Sequence, residues 1–394
     1  MKQIEKILAK IKFKPDDFIV EEIGEGWECS VSESPNFDSN PDLSKLDSSI
    51  FKDFLWCELE KVDLDHFQAI KELGARINKF SNDIGYAGVK DKKAHTSQRI
   101  SIFKPNLDLI KQFRHPKIIL KNFRWEKRKL KMGFLEGNKF KIVLRDVDKK
   151  NAIKISSKIK NLSFFPNYFG TQRFGSQRGN NVEIGILIIK RKFEEAVWNI
   201  LTYISETERE EFRTARKKLK SEKNFKDALN YFSSFLKIER ELLFYLSKNP
   251  GDYLGALKKA DRKNVLMFIN SVQSKIFNEI LEKAINEGLD FTKEGQKNCL
   301  LVGYKTHFSS GRLGEIEMEI LKKNGIETED FNIKEIPYLR TKGAYRKAII
   351  EIKNAKVSVF DDEEFHGSKK ILFEFFLPSG VYATTFLENF FEFG

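Results

Sequence analysis

Gly85-Tyr-Ala-Gly-Val-Lys-Asp-Lys-Lys-Ala-His-Thr-Ser-Gln-Arg-Ile-Ser101 is the densest cluster of chemistry-bearing side chains in the chain. A turn with glycines at 85 and 88 delivers Asp91 between Lys90 and Lys92, and a row of small polar residues follows. Nearby cations favour the ionised form of a carboxylate, and an ionised carboxylate can act as a nucleophile or as a general base. A Lys-Asp-Lys surface turn is the plainer reading of the same residues. The segment alone does not choose between the two.

Upstream of it, Ile11 to Ile23 places Pro15 in a turn and then alternates Phe18 and Val20 with polar partners, the pattern of a half-buried strand. Cys29 to Ser49 is mostly Ser, Asp, Asn and Pro, which predicts a long surface excursion and a candidate mobile segment. Phe54 to Leu59 alternates as a strand. Asp65-His66-Phe67-Gln68 offers a capping box for a helix over Phe67 to Phe80. Downstream, seven basic residues between Lys117 and Lys131 interleave with Phe123 and Trp125, which suits RNA or equally a solvated strand face with two core aromatics. Lys139 to Val147 alternates as a strand with one wet face.

The middle of the chain is helical in pattern. Thr207 with Glu210 forms a second capping box, and the helix it opens runs from acidic Glu208, Glu210 and Glu211 to basic Arg213, Arg216, Lys217, Lys218 and Lys220. That charge order offsets the macrodipole and predicts a stable exposed helix. Another helix covers about Val265 to Asn286. Ile349 to Ile352 and Ile371 to Leu377 return to strand, the second ended by Pro378-Ser379-Gly380. Strand-rich ends around a helix-rich middle describe an α/β domain interrupted by an insertion.

Composition narrows the function. The 394 residues are 41% hydrophobic and 32% charged, a folding composition long enough for two domains. Seventy Lys and Arg against 57 Asp and Glu give a formal charge of +13 and a pI near 9.3, which favours a polyanionic partner. Three cysteines without a C-x-x-C pair support neither a disulfide framework nor a zinc site, and five scattered histidines offer no metal set. Phosphate-loop, dinucleotide, serine-esterase and zinc-protease motifs are all missing. Met1 to Lys10 holds no secretory apolar core and no run is long enough to span a bilayer, so a cytoplasmic, membrane-free protein is expected.

Resemblance then decides what composition leaves open. Gly88-Val-Lys90-Asp91-Lys92-Lys93-Ala94-His95-Thr96-Ser97-Gln98 matches, at each fixed position, the G-x-K-D-[KR]-x-A-x-T-x-Q pattern of the TruD family of tRNA pseudouridine synthases. Four further stretches agree in the family's order. They are Lys12 to Val20, Gly137-Asn138-x-Phe140, Pro166 to Gly175 (containing Asn167-Tyr-Phe169-Gly-Thr-Gln-Arg-Phe-Gly175), and Asn270 to Asn278; Leu377 to Thr384 resembles the closing strand and turn. The resemblance runs from Lys12 to Thr384. His66 departs from it, standing where the family often has Thr, and the Cys29 to Ser49 loop is longer than usual.

The resemblance implies an α+β fold: a pseudouridine-synthase-type catalytic domain with a mixed, largely antiparallel sheet and flanking helices, discontinuous over 1–192 and 337–394, interrupted by an inserted α/β TRUD domain over 193–336. It implies uridine 13 of transfer RNA as the substrate, bound in a basic cleft between the two domains, with no cofactor, no metal and no obligate protein partner. Asp91 is the expected catalyst. Lys12 is the expected cation beside it with Lys90 as the alternative, Phe169 is expected to stack on the uracil, Asn167 to hydrogen-bond nearby, and Gln98 and Asn138 to contribute to substrate binding. A catalytically silent RNA-binding relative would lose Asp91. A metal-dependent nuclease would need clustered carboxylates where this chain has lysines.

Overall fold

The computed structural model describes residues 6–47, 49–50, 52–160, 162–175, 178–293 and 297–393, so half of the Met1 to Lys10 stretch lies outside it. The chain divides into two compact units, one of residues 166–350 and one of the segments before 166 and after 350. The first takes in the whole span 193–336.

The discontinuous unit is built on an eleven-stranded sheet. Its main order is Lys353–Asp361, Lys369–Pro378, Gly137–Val147, Phe18–Gly24, His95–Phe103, Phe54–Val62 and Ile118–Glu126. Neighbours in this order are antiparallel except Phe18–Gly24 beside His95–Phe103, which pair in parallel with Ile19 opposite His95 and Glu21 opposite Ser97. The sheet is therefore mixed and largely antiparallel, and helices flank it.

One sheet face is covered by the helix His66–Arg76. Asp65 caps it by accepting from the Gln68 N–H at 3.0 Å, and Ala69, Ile70 and Leu73 pack on Leu55, Cys57, Leu59, Ile100 and Ile102. The helix stops at Arg76, four residues before Phe80, where Asn78 turns to a left-handed φ of 53°. The other face of Phe54–Val62 carries Glu58 and Glu60, and these too are buried. The start of the polar loop closes over them: Ser30 and Ser32 donate backbone N–H groups to Glu58 and Glu60, and Val31 donates to Glu21. The expectation of a free excursion from Cys29 thus fails for its first residues, which are bonded to the sheet.

The 166–350 unit is mainly helical, with one two-stranded ribbon, Asn298–Leu301 against Ala344–Lys347. Its longest helix, Arg262–Asn286, is capped by Asp261 and packs on Asn181–Ile189. Gly185 allows that approach, since a Cβ there would stand 2.3 Å from the Phe268 carbonyl oxygen. Helix Glu210–Glu222 forms without the expected capping box, because Arg209 takes the cap position without a side-chain bond. Its face is not wholly exposed either. Arg216 is fully buried and binds Glu208, Glu239 and the carbonyls of Ile200 and Leu201, so burial with two carboxylates claims one of the residues expected on a solvated face.

Candidate active site

The strand Phe54–Val62 alternates Leu55, Cys57, Leu59 and Lys61 toward the helix-covered face, opposite Ile102, Ile100, Gln98 and Thr96. Along this one line the sheet surface passes from apolar to polar. Glu22 joins the polar end from the neighbouring strand, two residues beyond Val20, whose register partner is Thr96. Over these residues lies the turn between strands Ile84–Tyr86 and His95–Phe103, which carries Asp91.

Side chains from several strands hold that turn. Gln98 donates its amide to the Gly88 carbonyl oxygen at 3.1 Å and accepts from His66 Nδ1 at 3.2 Å. Lys90 is buried and forms an ion pair with Glu22, which also accepts from the Arg99 N–H. Burial raises the Glu22 carboxyl above its ordinary range in spite of Lys90. Lys61 is fully buried and donates to the Asp91 carbonyl oxygen at 2.6 Å. Burial lowers His66 to about 4, so its imidazole is neutral at neutral pH.

Above this base the Asp91 carboxylate is 47% exposed, and Lys12 Nζ approaches its Oδ2 to 3.1 Å. Lys12 stands on a left-handed backbone, φ 55°, with its ammonium 4.1 Å from the centre of the Phe18 ring. Of the two expected cations, then, Lys12 touches the carboxylate and Lys90 anchors the turn. Gln98 is buried and braces the same turn. Asn138 lies in register with Glu22 and Leu377, and its buried Oδ1 has no hydrogen-bond partner among the described residues. Among the described residues no group of three His, Cys, Asp or Glu side chains is placed to hold a metal.

The opposite sheet face is different. His95 is buried between Asp16 (Nδ1 to Oδ1, 2.9 Å) and Glu60 (Nε2 to Oε1, 2.7 Å), and it borders a cavity of about 800 Å³ whose wall includes Ile19, Glu21, Lys139 and Lys141. Asp91 is not part of that wall. The Lys117 to Lys131 stretch also spends much of its charge internally: Lys117 pairs with Asp63, Lys121 with Glu60 and Arg124 with Glu126. Trp125 is buried and Phe123 half-buried, which favours the strand-face reading for both aromatics.

Asn167 and Phe169 belong to the helical unit. Asn278 fixes the Phe169 backbone from both sides, accepting its N–H at 2.8 Å and donating to its carbonyl oxygen at 2.9 Å. The half-buried ring meets Phe277 edge-on at 5.4 Å and has the guanidinium carbons of Arg346 and Arg173 at 4.2 and 5.3 Å from its centroid. Asn167 places Arg346: its Oδ1 accepts from Arg346 Nη2 at 2.6 Å while its Nδ2 donates to the Lys347 carbonyl oxygen. An aromatic face beside guanidinium planes is chemistry that receives a nucleobase. The side chain of Gln172 lies outside the described residues.

Sequence reading missed Lys61, Glu22, Arg346 and the bracing role of Asn278. Asn278 closes a quoted motif and could have been found. Lys61 looked like the polar end of an apolar strand, and Arg346 sits in no motif.

The model for the family "tRNA pseudouridine synthase D (TruD)" matches residues 1–299 and 293–390. A protein of Methanopyrus kandleri named as a probable tRNA pseudouridine synthase D is 33% identical over 340 residues, covering 84% of each chain. One from Methanocaldococcus jannaschii, named as a probable tRNA pseudouridine synthase D 1, is 33% identical over 391 residues, covering 97% of this chain and 95% of its own. A crystal structure assigned as tRNA pseudouridine synthase D from Methanosarcina mazei superposes with a TM-score of 0.80 at 28% identity, over 98% of this chain and 94% of that one.

Proposed function

Because the chain belongs to the TruD family of tRNA pseudouridine synthases, we propose that it is a cytoplasmic protein that isomerises the uridine at position 13 of a transfer RNA, with Asp91 as the catalytic carboxylate and no cofactor. The observation that carries this is the Asp91 carboxylate, solvent-open, touched by Lys12 and set on a turn held from beneath by the sheet.

The reaction breaks the bond from N1 to C1′, turns the freed uracil and joins C5 to C1′; C5 gives up its proton to solvent and N1 takes one up, so the product is an isomer of the substrate. It is redox-neutral and consumes no nucleotide. An ionised carboxylate starts it either by attack at C1′ or by deprotonating the ribose, and both routes begin from the same placement. Lys12 orients the carboxylate. The uridine must leave its stack to reach a carboxylate on such a turn. Within the helical unit, Phe169 with Arg346 is the kind of surface on which a base stacks.

Asp91→Asn keeps size and the neighbouring lysines while removing the charge that both routes use. On a transfer RNA transcript labelled with tritium at uracil C5, tritium release by this variant falls below detection while filter binding persists. A transcript with cytidine at position 13 gives no pseudouridine with the unaltered enzyme. Tritium release near the normal rate by the Asn variant would overturn the assignment of Asp91.

A further inference from the structure

We propose that Lys61 is a positioning residue for the pseudouridine reaction, fixing Asp91 through its main chain while Lys12 acts on its side chain. This rests on the reading of Asp91 as the catalytic carboxylate.

Lys61 occupies a core position. It continues the line of Leu55, Cys57 and Leu59 and is 0% exposed, so it cannot touch a substrate. Burying an ammonium ion is costly unless it is well partnered, and an ammonium has three donors to satisfy. Among the described residues the Lys61 ammonium makes one hydrogen bond, to the Asp91 carbonyl oxygen at 2.6 Å. The site therefore spends an unfavourable burial on a single contact, and that contact is to the backbone of the reactive residue. The strand that bears Lys61 is bonded on both sides, with Thr96 and Ile118 as register partners, so the anchor is rigid. The turn itself has few main-chain bonds of its own, chiefly Ala94 N–H to the Lys92 carbonyl oxygen. Without Lys61 the Asp91 carbonyl loses its hydrogen bond to the strand Phe54–Val62.

The surroundings make this anchor sensitive to pH. The charged groups facing Lys61 are Asp91 and Lys90 on the turn and Asp63 and Asp65 beyond its own strand; His66, at the start of the helix, is neutral at neutral pH. Burial lowers the ammonium from 10.5 to about 8, with Asp91 and Asp65 opposing that shift and Lys90 adding to it. Because the folded value lies below the unfolded one, the charged lysine weakens the fold at neutral pH, and stability recovers as pH rises through that window.

Lys61→Met tests the proposal, since it fills the same space without charge or donors. The expected result is a kcat lowered about a hundredfold, the usual scale for a misplaced catalytic group, with KM for transfer RNA within about twofold and a melting temperature equal to or above the unaltered protein's. Lys61→Arg keeps a cation that does not titrate near pH 8. It should retain part of the activity and lack the fall in kcat that is expected of the unaltered enzyme as pH passes about 8. Full kcat in the Met variant, or a kcat loss matched by a large drop in melting temperature, would overturn the proposal. So would an Arg variant with the same alkaline limb as the unaltered enzyme. Asp91→Asn in the same assay separates the two ideas: if it is inactive while Lys61→Met is fully active, only the role of Lys61 falls, and if it is active, the reading of Asp91 falls first.

Discussion

Lys12 Nζ stands 3.1 Å from Asp91 Oδ2 across 79 positions of sequence, with its own side chain only 18% exposed beneath a carboxylate that is 47% exposed. The cation is sheltered and the anion open, the arrangement that the proposed roles of an orienting lysine and a reacting aspartate require. Lys12→Met should lower kcat about ten- to a hundredfold, the equivalent of losing a charge-assisted hydrogen bond of about 1.5–3 kcal/mol. Single-turnover tritium release at saturating enzyme measures it, beside a circular dichroism spectrum that should not change. An unaltered rate would remove Lys12 from the site.

Phe169→Ala should slow turnover by about one to two orders of magnitude, because stacking of a base on an aromatic ring is worth about 1–3 kcal/mol. The ring also packs on Phe277, so a thermal melt has to accompany the kinetics. A melt that drops by many degrees while residual activity tracks the folded fraction would make Phe169 a packing residue.

Transfer RNA binding should weaken steeply between low and high salt, as expected for a chain of net charge +13. The slope should fall short of what seven phosphate contacts from Lys117 to Lys131 would give, since Lys117, Lys121 and Arg124 already pair with carboxylates. Affinity that does not respond to salt would count against an electrostatic footprint.

Glu60 and His95 give the stability of the sheet unit a pH optimum. Burial would push the Glu60 carboxyl up, but bonds from His95, Lys121 and the Ser32 N–H carry it down from 4.5 to about 2. Its contribution is therefore present above about pH 4.5 and is lost as pH falls toward 2. Burial would lower His95, and Glu60 and Asp16 together raise it above 6.5, so its contribution is complete below 6.5 and fades as pH rises through the raised value. Urea midpoints from pH 3 to 9 should peak between these limits. Glu60→Gln should cost about 3–5 kcal/mol near pH 6 and flatten the acid side; an unchanged profile would show that the cluster is not coupled to folding.

The turn that bears Asp91 and the strands around it were legible because alternation and motif coincide there: Phe18 to Val20, Lys139 to Val147 and Ile371 to Leu377 all lie in the strands they indicated. Boundaries were less so. The helix after Asp65 ends at Arg76 because the backbone turns left-handed at Asn78, which the periodicity through Phe80 does not record. Buried polar residues were the least legible, since Glu58, Glu60, Lys61 and Arg216 carry the chemistry of surface residues and are hidden by partners on other elements. The Lys12 to Asp91 contact was legible through the family pattern, whereas the Lys61 contact with the Asp91 carbonyl depends on a strand register that only the three-dimensional structure supplies.

The strand Gly137–Val147 pairs with two segments made before it, Ile7–Ile11 and Phe18–Gly24, and with one made long after it, since Lys369–Pro378 runs along its other edge. On the ribosome, the segment that separates position 165 from Lys353 takes about ten to forty seconds to appear at roughly 5–20 residues per second. Throughout that interval the nascent sheet presents an unpaired edge, the kind of surface at which chains aggregate. Lys139, Lys141 and Arg145 lie along that strand, and charge on an open edge discourages a stranger from adding to it. Arg145 later joins Asp362 across 217 positions, so a residue that guards the edge during synthesis helps to seal it once the late strands arrive.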